Sequence, residues 1–372
     1  MTRRELLLLG LGIGGTLAGC ASVPPAPAPA PKKLIEFGWD EPDTTFLRRH
    51  IARMEQSPFD GCVFRANYRT SGGAWGPFLL EAWGTRAFGE AELEPALAEL
   101  QATPFQRFTE NFLRFNTTPG DVDWFGDFSA VLGNARLAAQ VARRGKARGI
   151  LFDVEQYEAP LFSYPKQRDA GTKSWDAYAV QVRQRGRALM QAFQHGYPDL
   201  TLFLTFGYSV PWLESRAGTR PLEACEYGLL APLLDGMLEA ATGATRLVDG
   251  YEPAYYHRKD TTRFAAAYRM VRDELLPIVA NPAAYRRLLS VGFGLWLDYS
   301  PEGRAWDGAD PARNYYTPGE FEASVRAALE VADEYVWIYT ETPRWWSADG
   351  QPIDLPPAYA EALRRARQGL AP

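Results

Sequence analysis

The chain has 372 residues, 46% of them hydrophobic and 23% charged, with 11 Trp, 18 Tyr and 20 Phe, a mixture that excludes disordered, collagenous and coiled-coil proteins. Its formal charge of −5 offers no global positive field to a polyanion, which argues against nucleic acid as a partner. With only 3 Cys and 3 His, there are too few soft ligands for a zinc or iron–sulfur scaffold and too few thiols for a disulfide framework.

Residues 1–20, MTRRELLLLGLGIGGTLAGC, have a charged start at Arg3 and Arg4, an apolar run from Leu6 to Leu17 and small residues before Cys20, the anatomy of an export signal. The run is shorter than the roughly 20 apolar residues a bilayer span needs. Leu17-Ala18-Gly19-Cys20 resembles the lipobox of bacterial lipoproteins, which implies a lipid on Cys20 and a protein anchored in the cell envelope, facing the periplasm or the cell surface. Thr2-Arg3-Arg4-Glu5-Leu6-Leu7 is similar to a twin-arginine signal. Residues 21–32 are rich in alternating Pro and Ala and predict an extended tether, which leaves 33–372 as one catalytic body. Cys62 and Cys225 are then the one pair available for a disulfide, but Cys62-Val63-Phe64 reads as a buried strand.

From residue 33 onward, β-branched and aromatic runs alternate with amphipathic stretches. The predicted strands are 34–39, 61–67, 107–115, 149–155, 200–208, 246–252, 288–297 and 334–341, with starts 27 to 51 residues apart, enough for a strand, a helix and two loops. Helices are predicted at 45–56, 90–102, 125–144, 175–194, 229–240, 262–279, 318–332 and 359–367. Eight apolar strands alternating with helices predict an α/β fold, a single (β/α)₈ TIM barrel. An open doubly wound sheet usually carries a Gly-rich turn after its first strand, whereas Phe37-Gly38-Trp39-Asp40-Glu41-Pro42 carries none.

In such barrels the reactive groups sit where the strands end. The fourth strand ends Phe152-Asp153-Val154-Glu155-Gln156-Tyr157, and the two-residue period of a strand predicts that Asp153 and Glu155 share a face. Paired carboxyls push one pKa up and keep a proton for a leaving group; the alternative is a carboxylate tied to an arginine. Other strand ends bring Trp39 and Asp40, Arg65, Asn116, Tyr208, Tyr251 and Glu252, Trp296 and Asp298, and Glu341. Glu252 and Glu341 are candidates for the second catalytic carboxylate. Tyr157, His257 and Trp345 follow strand ends closely, and the aromatic rings there are suited to stack on sugar C–H faces. No motif calls for a cofactor, and G-x-S-x-G, H-E-x-x-H and P-loop patterns are absent from the sequence.

Phe152-Asp153-Val154-Glu155 resembles the end of the D-x-x-D-x-D-x-E motif of family 18 glycoside hydrolases. The resemblance implies Glu155 as general acid, Asp153 as its helper, and Tyr251 and Trp337 as sugar-holding aromatics. Leu151 and Arg148 stand where the family has its earlier aspartates. More broadly the chain resembles bacterial (β/α)₈ lipoproteins of glycosidase type. The expectation is a carbohydrate substrate cleaved by Glu155, with Asp153 tuning it and Glu252 or Glu341 as nucleophile or base. Two rivals remain: a catalytically silent carbohydrate-binding lipoprotein, and a hydrolase holding a metal through Asp40, Asp153 and Glu252.

Overall fold

Each apolar run is too short to bury itself, and each is followed by enough chain to cross back and lie parallel to it. In the computed structural model, which describes residues 31–370, the strands are β1 (Lys33–Glu36), β2 (Gly61–Phe64), a small hairpin of β3 (Asn67–Arg69) and β4 (Trp75–Pro77), β5 (Phe112–Asn116), β6 (Gly149–Asp153), β7 (Thr201–Leu204), β8 (Arg246–Asp249), β9 (Leu289–Val291), β10 (Phe293–Trp296) and β11 (Tyr335–Tyr339). The main sheet runs β10-β11-β1-β2-β5-β6-β7-β8-β9, and its pairs are parallel. β9 and β10 are one predicted strand divided at Gly292, whose N–H turns aside to Asp249 O at 2.8 Å. The first half therefore pairs with β8 and the second with β11, and the sheet closes as an eight-stranded barrel.

Residues 1–30, where the signal, the lipidated Cys20 and most of the tether are expected, lie outside the described residues. Among the described residues no helix is long and apolar enough to cross a membrane. Cys62 and Cys225 are both buried and free, so the one pairing open to them is not made.

Strand alternation sorts the core into two layers. Ile35, Val63, Phe112, Leu151, Phe203, Val248, Tyr335 and Trp337 point into the barrel, where Phe112, Phe203 and Tyr335 interlock with ring centroids 5.3 to 5.6 Å apart. Ile150 and Phe152 point outward to the helices, and Phe152 stacks on Trp83 at 5.8 Å. Gly294 is required by the inner layer: a Cβ there would lie 2.7 Å from the Trp337 indole and 2.8 Å from Tyr255.

The helices are α1 (Thr44–Met54), α2 (Glu90–Ala102), α3 (Ser129–Arg144), α4 (Trp175–Gly196), α5 (Ser209–Glu214), α6 (Leu230–Ala240), α7 (Arg263–Arg269), α8 (Pro282–Leu288), α9 (Pro318–Val331) and α10 (Pro357–Arg367). Asp43 caps α1 by accepting from Phe46 N at 2.8 Å, and Thr317 with Glu320 forms a capping box on α9. The single helix predicted over 262–279 instead breaks into α7, a π-turn at Met270–Glu274 and a 3₁₀ turn at Leu276–Ile278. Pro277 has no N–H to continue it. The short α5 and α8 carry too little periodicity to read from sequence.

α4 and α6 cross at two glycines. A Cβ on Gly186 would run into the Leu233 carbonyl oxygen, and one on Gly236 into that of Arg183. Gly186→Ala should therefore cost about 1–3 kcal/mol by wedging the helices apart, whereas Gly133→Ala on α3, with open space around it, should be neutral or stabilising. Chemical denaturation of the two variants checks this.

Candidate active site

β5 carries a charge where its alternation demands an apolar residue. Phe112 and Arg114 face inward beside Leu151 and Asp153 of β6, so the guanidinium stands above the aromatic floor and meets Asp153 at the mouth. Arg114 Nη2 and Nε lie 2.6 and 3.2 Å from Asp153 Oδ2, and Nη1 lies 3.2 Å from Glu41 Oε2. Phe37 supports the guanidinium at 5.0 Å. Tyr157 donates its hydroxyl to Asp153 Oδ2 at 3.0 Å, and Glu155 N donates to Oδ1 at 3.1 Å. Asp153 is thus buried with both of its carboxyl oxygens hydrogen-bonded.

This changes the predicted Asp153/Glu155 pair. β6 ends at Asp153, and Glu155 lies in the loop beyond, fixed by Thr117 Oγ1 donating to Glu155 O at 3.0 Å. Asp153 takes an arginine as its partner. Burial raises the Glu155 carboxyl above the usual range; the nearby Tyr157 hydroxyl opposes this, the Asp153 charge adds to it and the Arg114 charge opposes it.

Glu252 reaches the same mouth by a left-handed turn. β8 ends at Asp249, whose buried carboxylate accepts from Ser209 Oγ at 3.0 Å and Tyr251 N at 3.1 Å. That clamp holds Tyr251 at φ 37°, a conformation side chains rarely adopt. Glu252 N then donates to Thr205 O at 3.1 Å, opening a 3₁₀ turn over Glu252–His257. Burial, with the charges of Glu155 and Asp153 adding to it and Arg114 opposing, pushes the Glu252 carboxyl up to about 8.

Aromatic rings wall the site. Tyr255 stacks on Tyr339 at 5.4 Å and covers Trp337 at 5.2 Å, and Trp296 meets both tyrosines edge-on at 5.9 and 5.6 Å. Tyr339 accepts from Trp39 Nε1 at 2.7 Å and donates to Glu341 at 3.1 Å. Trp39 is 66% exposed and Tyr157 52%. Asp298 accepts from Trp296 Nε1, Glu341 N and Thr342 N at 2.9 to 3.1 Å, so it shapes the rim through the loop after β11.

Several predicted site residues are turned away. Tyr208 is buried behind the barrel, donating to Asp235 at 2.8 Å. His257 is buried between Tyr251 and Phe264, and burial, with Arg263 adding to it, pushes its imidazole down to about 4. Tyr251 packs on Phe293 and Trp345 on Phe59, both buried. Trp337 gives its indole N–H to Gly250 O at 2.8 Å inside the barrel. Asp40 accepts from Trp345 N at 2.6 Å, and Arg65 donates to Glu41 O at 2.6 Å, both to one side of the mouth. Asn116 is buried beside Asp153 with Oδ1 unpartnered. Among the described residues no group of three or more His, Cys, Asp or Glu is placed to hold a metal ion, so Asp40, Asp153 and Glu252 do not form one. Arg114 escapes sequence reading, its one signal being a charge two residues after Phe112 in an apolar run.

No family model matches the chain, and no curated protein matches it; the likeness of Phe152–Glu155 to family 18 stays a four-residue resemblance. Among solved structures, the catalytic domain of a hyperthermophilic chitinase from Pyrococcus furiosus is similar over 92% of this chain and 98% of its own, at 11% identity and a TM-score of 0.46. A GH5-4 broad-specificity endoglucanase from Bacteroides salanitronis is similar over 92% and 93%, at 10% identity and 0.46. A GH10 xylanase from Thermobacillus composti is similar over 91% and 96%, at 12% identity and 0.41. These likenesses are architectural; the barrel stands on its own strand register.

Arg114→Met should leave Asp153 and Glu41 buried without a counter-charge and cost about 3–5 kcal/mol, with Arg114→Lys costing less; denaturant titration measures both. Glu252→Gln should stabilise the protein as pH rises. Between the ordinary glutamate range and about 8, the unfolded chain releases a proton that the folded one keeps, so wild type loses at most about 1.4 kcal/mol per pH unit. Melting curves at pH 5 and pH 8 should show the variant's advantage growing toward pH 8.

Proposed function

We propose that the chain is a glycoside hydrolase acting on a poly- or oligosaccharide by carboxylate acid/base catalysis at the mouth of its barrel. The observation that carries this is the division of the carboxyls: Asp153 and Glu41 hold Arg114, while Glu155 and Glu252 stand at the same mouth without an ion-pair partner among the described residues, Glu252 feeling the Glu155 charge.

Glu252, which keeps its proton to about 8, is the general acid and donates to the glycosidic oxygen. Glu155 is the second carboxylate, serving the anomeric carbon as nucleophile or as base for water. The acid role thereby passes from Glu155, favoured by the sequence pattern, to its neighbour. Trp39, Tyr157 and Trp296 offer ring faces for the sugar, and Glu341 and Asp298 form the polar rim. A silent carbohydrate-binding protein would have no use for a half-buried, proton-holding glutamate beside a second carboxyl.

A signal over 1–20 and a lipid on Cys20 would anchor this hydrolase in the cell envelope, with glycan as its partner and no nucleic acid.

Glu155→Gln and Glu252→Gln should each cut turnover of a soluble glycan by about 10²–10⁴-fold while the far-ultraviolet spectrum is unchanged. In wild type, activity requires protonated Glu252 and so falls as pH rises through about 8; in Glu252→Gln that basic limb should vanish. Full activity in either variant overturns the assignment.

A further inference from the structure

Beside the mouth lies a cavity of about 870 Å³ between the loop after β1, the β3–β4 hairpin and the loop after β11, a volume suited to one or two sugar rings. Four guanidinium groups line it: Arg49, Arg65, Arg69 and Arg344. Among the described residues none of the four is in an ion pair, although 14 other arginines are.

The acids of the same wall have partners other than these arginine side chains, although Asp40 Oδ1 and Glu41 Oε1 are left without one. Glu41 holds Arg114, Glu99 holds Arg48 at 3.0 Å, Asp43 accepts from Phe46 N and Asn67 Nδ2, and Asp40 accepts from Trp345 N. Arg65 donates to Glu41 O, while Arg344 Nη1 is buried and unpartnered, near the buried Glu36. Arg49 and Arg69 are exposed at the opening, as is Trp75, at 66%. A buried, unpartnered guanidinium nitrogen is costly unless something fills its hydrogen bond.

Cavity and mouth share a wall. Trp39 reaches Tyr339 on one side and lies under Arg344, 5.7 Å away, on the other. We propose that the cavity is a subsite for an acidic sugar, so that the glycan entering the mouth carries a carboxylate or sulfate held by Arg49, Arg65, Arg69 and Arg344. This rests on the carbohydrate reading and names its substrate class. Guanidinium forks match both oxyanions in two-point geometry. Four guanidinium groups gathered in one cavity give an oxyanion a local contact on a chain that as a whole is acidic, at −5, and repels a polyanion at long range.

The test is calorimetric binding by the purified full chain to oligogalacturonate, its methyl ester, a sulfated galactan oligosaccharide and its desulfated form. At least one acidic sugar should bind about tenfold or more tightly than its neutral counterpart, with the advantage shrinking as salt is added. Arg49→Gln with Arg69→Gln, both exposed and safe for folding, should remove about tenfold of that affinity, and Arg344→Gln should do the same. Equal affinity for acid and neutral forms, no binding of either acid, or an unchanged affinity in the arginine variants overturns the subsite. An oligonucleotide of equal charge binding as tightly as the acidic sugar also overturns it. Cleavage of neutral glycans without acidic preference overturns the subsite and leaves hydrolysis standing; acidic binding without any turnover leaves the subsite and overturns hydrolysis.

Discussion

A half-buried guanidinium at the centre of the mouth sorts the carboxyls around it. Arg114 bridges Asp153 and Glu41, and Asp153 accepts further donors beside it: Tyr157 and the backbone of Glu155 hang from Asp153. Glu155 and Glu252 receive only the more distant benefit of that charge. They are close to the same low-dielectric floor but outside the pairing, and that position lets a proton persist on one of them at neutral pH. The two paired carboxyls are thus the condition for the acid–base pair proposed above.

The floor matters as much as the charge. Phe112, Phe203 and Tyr335 fill the barrel below, and Trp337 and Tyr255 fill the level above, so the site rests on closely packed rings. Gly294 makes room for that upper pair. The same close packing fixes Tyr339 between Trp39 and Glu341, which gives the rim a defined shape.

All eight strands were legible because each is a continuous apolar run, and their spacing gave the barrel. What was not legible is where chains turn. Nothing in Leu289–Trp296 marks the break at Gly292, which depends on Asp249 of a distant strand. Tyr251 and Glu252 read as strand because the sequence does not announce a left-handed tyrosine; the clamp comes from Asp249 and Ser209. Tyr208, His257 and Trp345 follow strand ends as sugar-binding aromatics would, yet distance along the chain does not say whether a side chain turns toward solvent or back under the helices. Arg114 was hidden for the opposite reason: an inward charge in a strand makes sense only once its two acids are known.

The strand that begins the barrel has its own consequence for the molecule's placement. β1 starts at Lys33 and sits between β11 and β2, so the preceding residues join the barrel at the strands' N-terminal face, opposite the mouth. A lipid on Cys20 would therefore moor the protein from below.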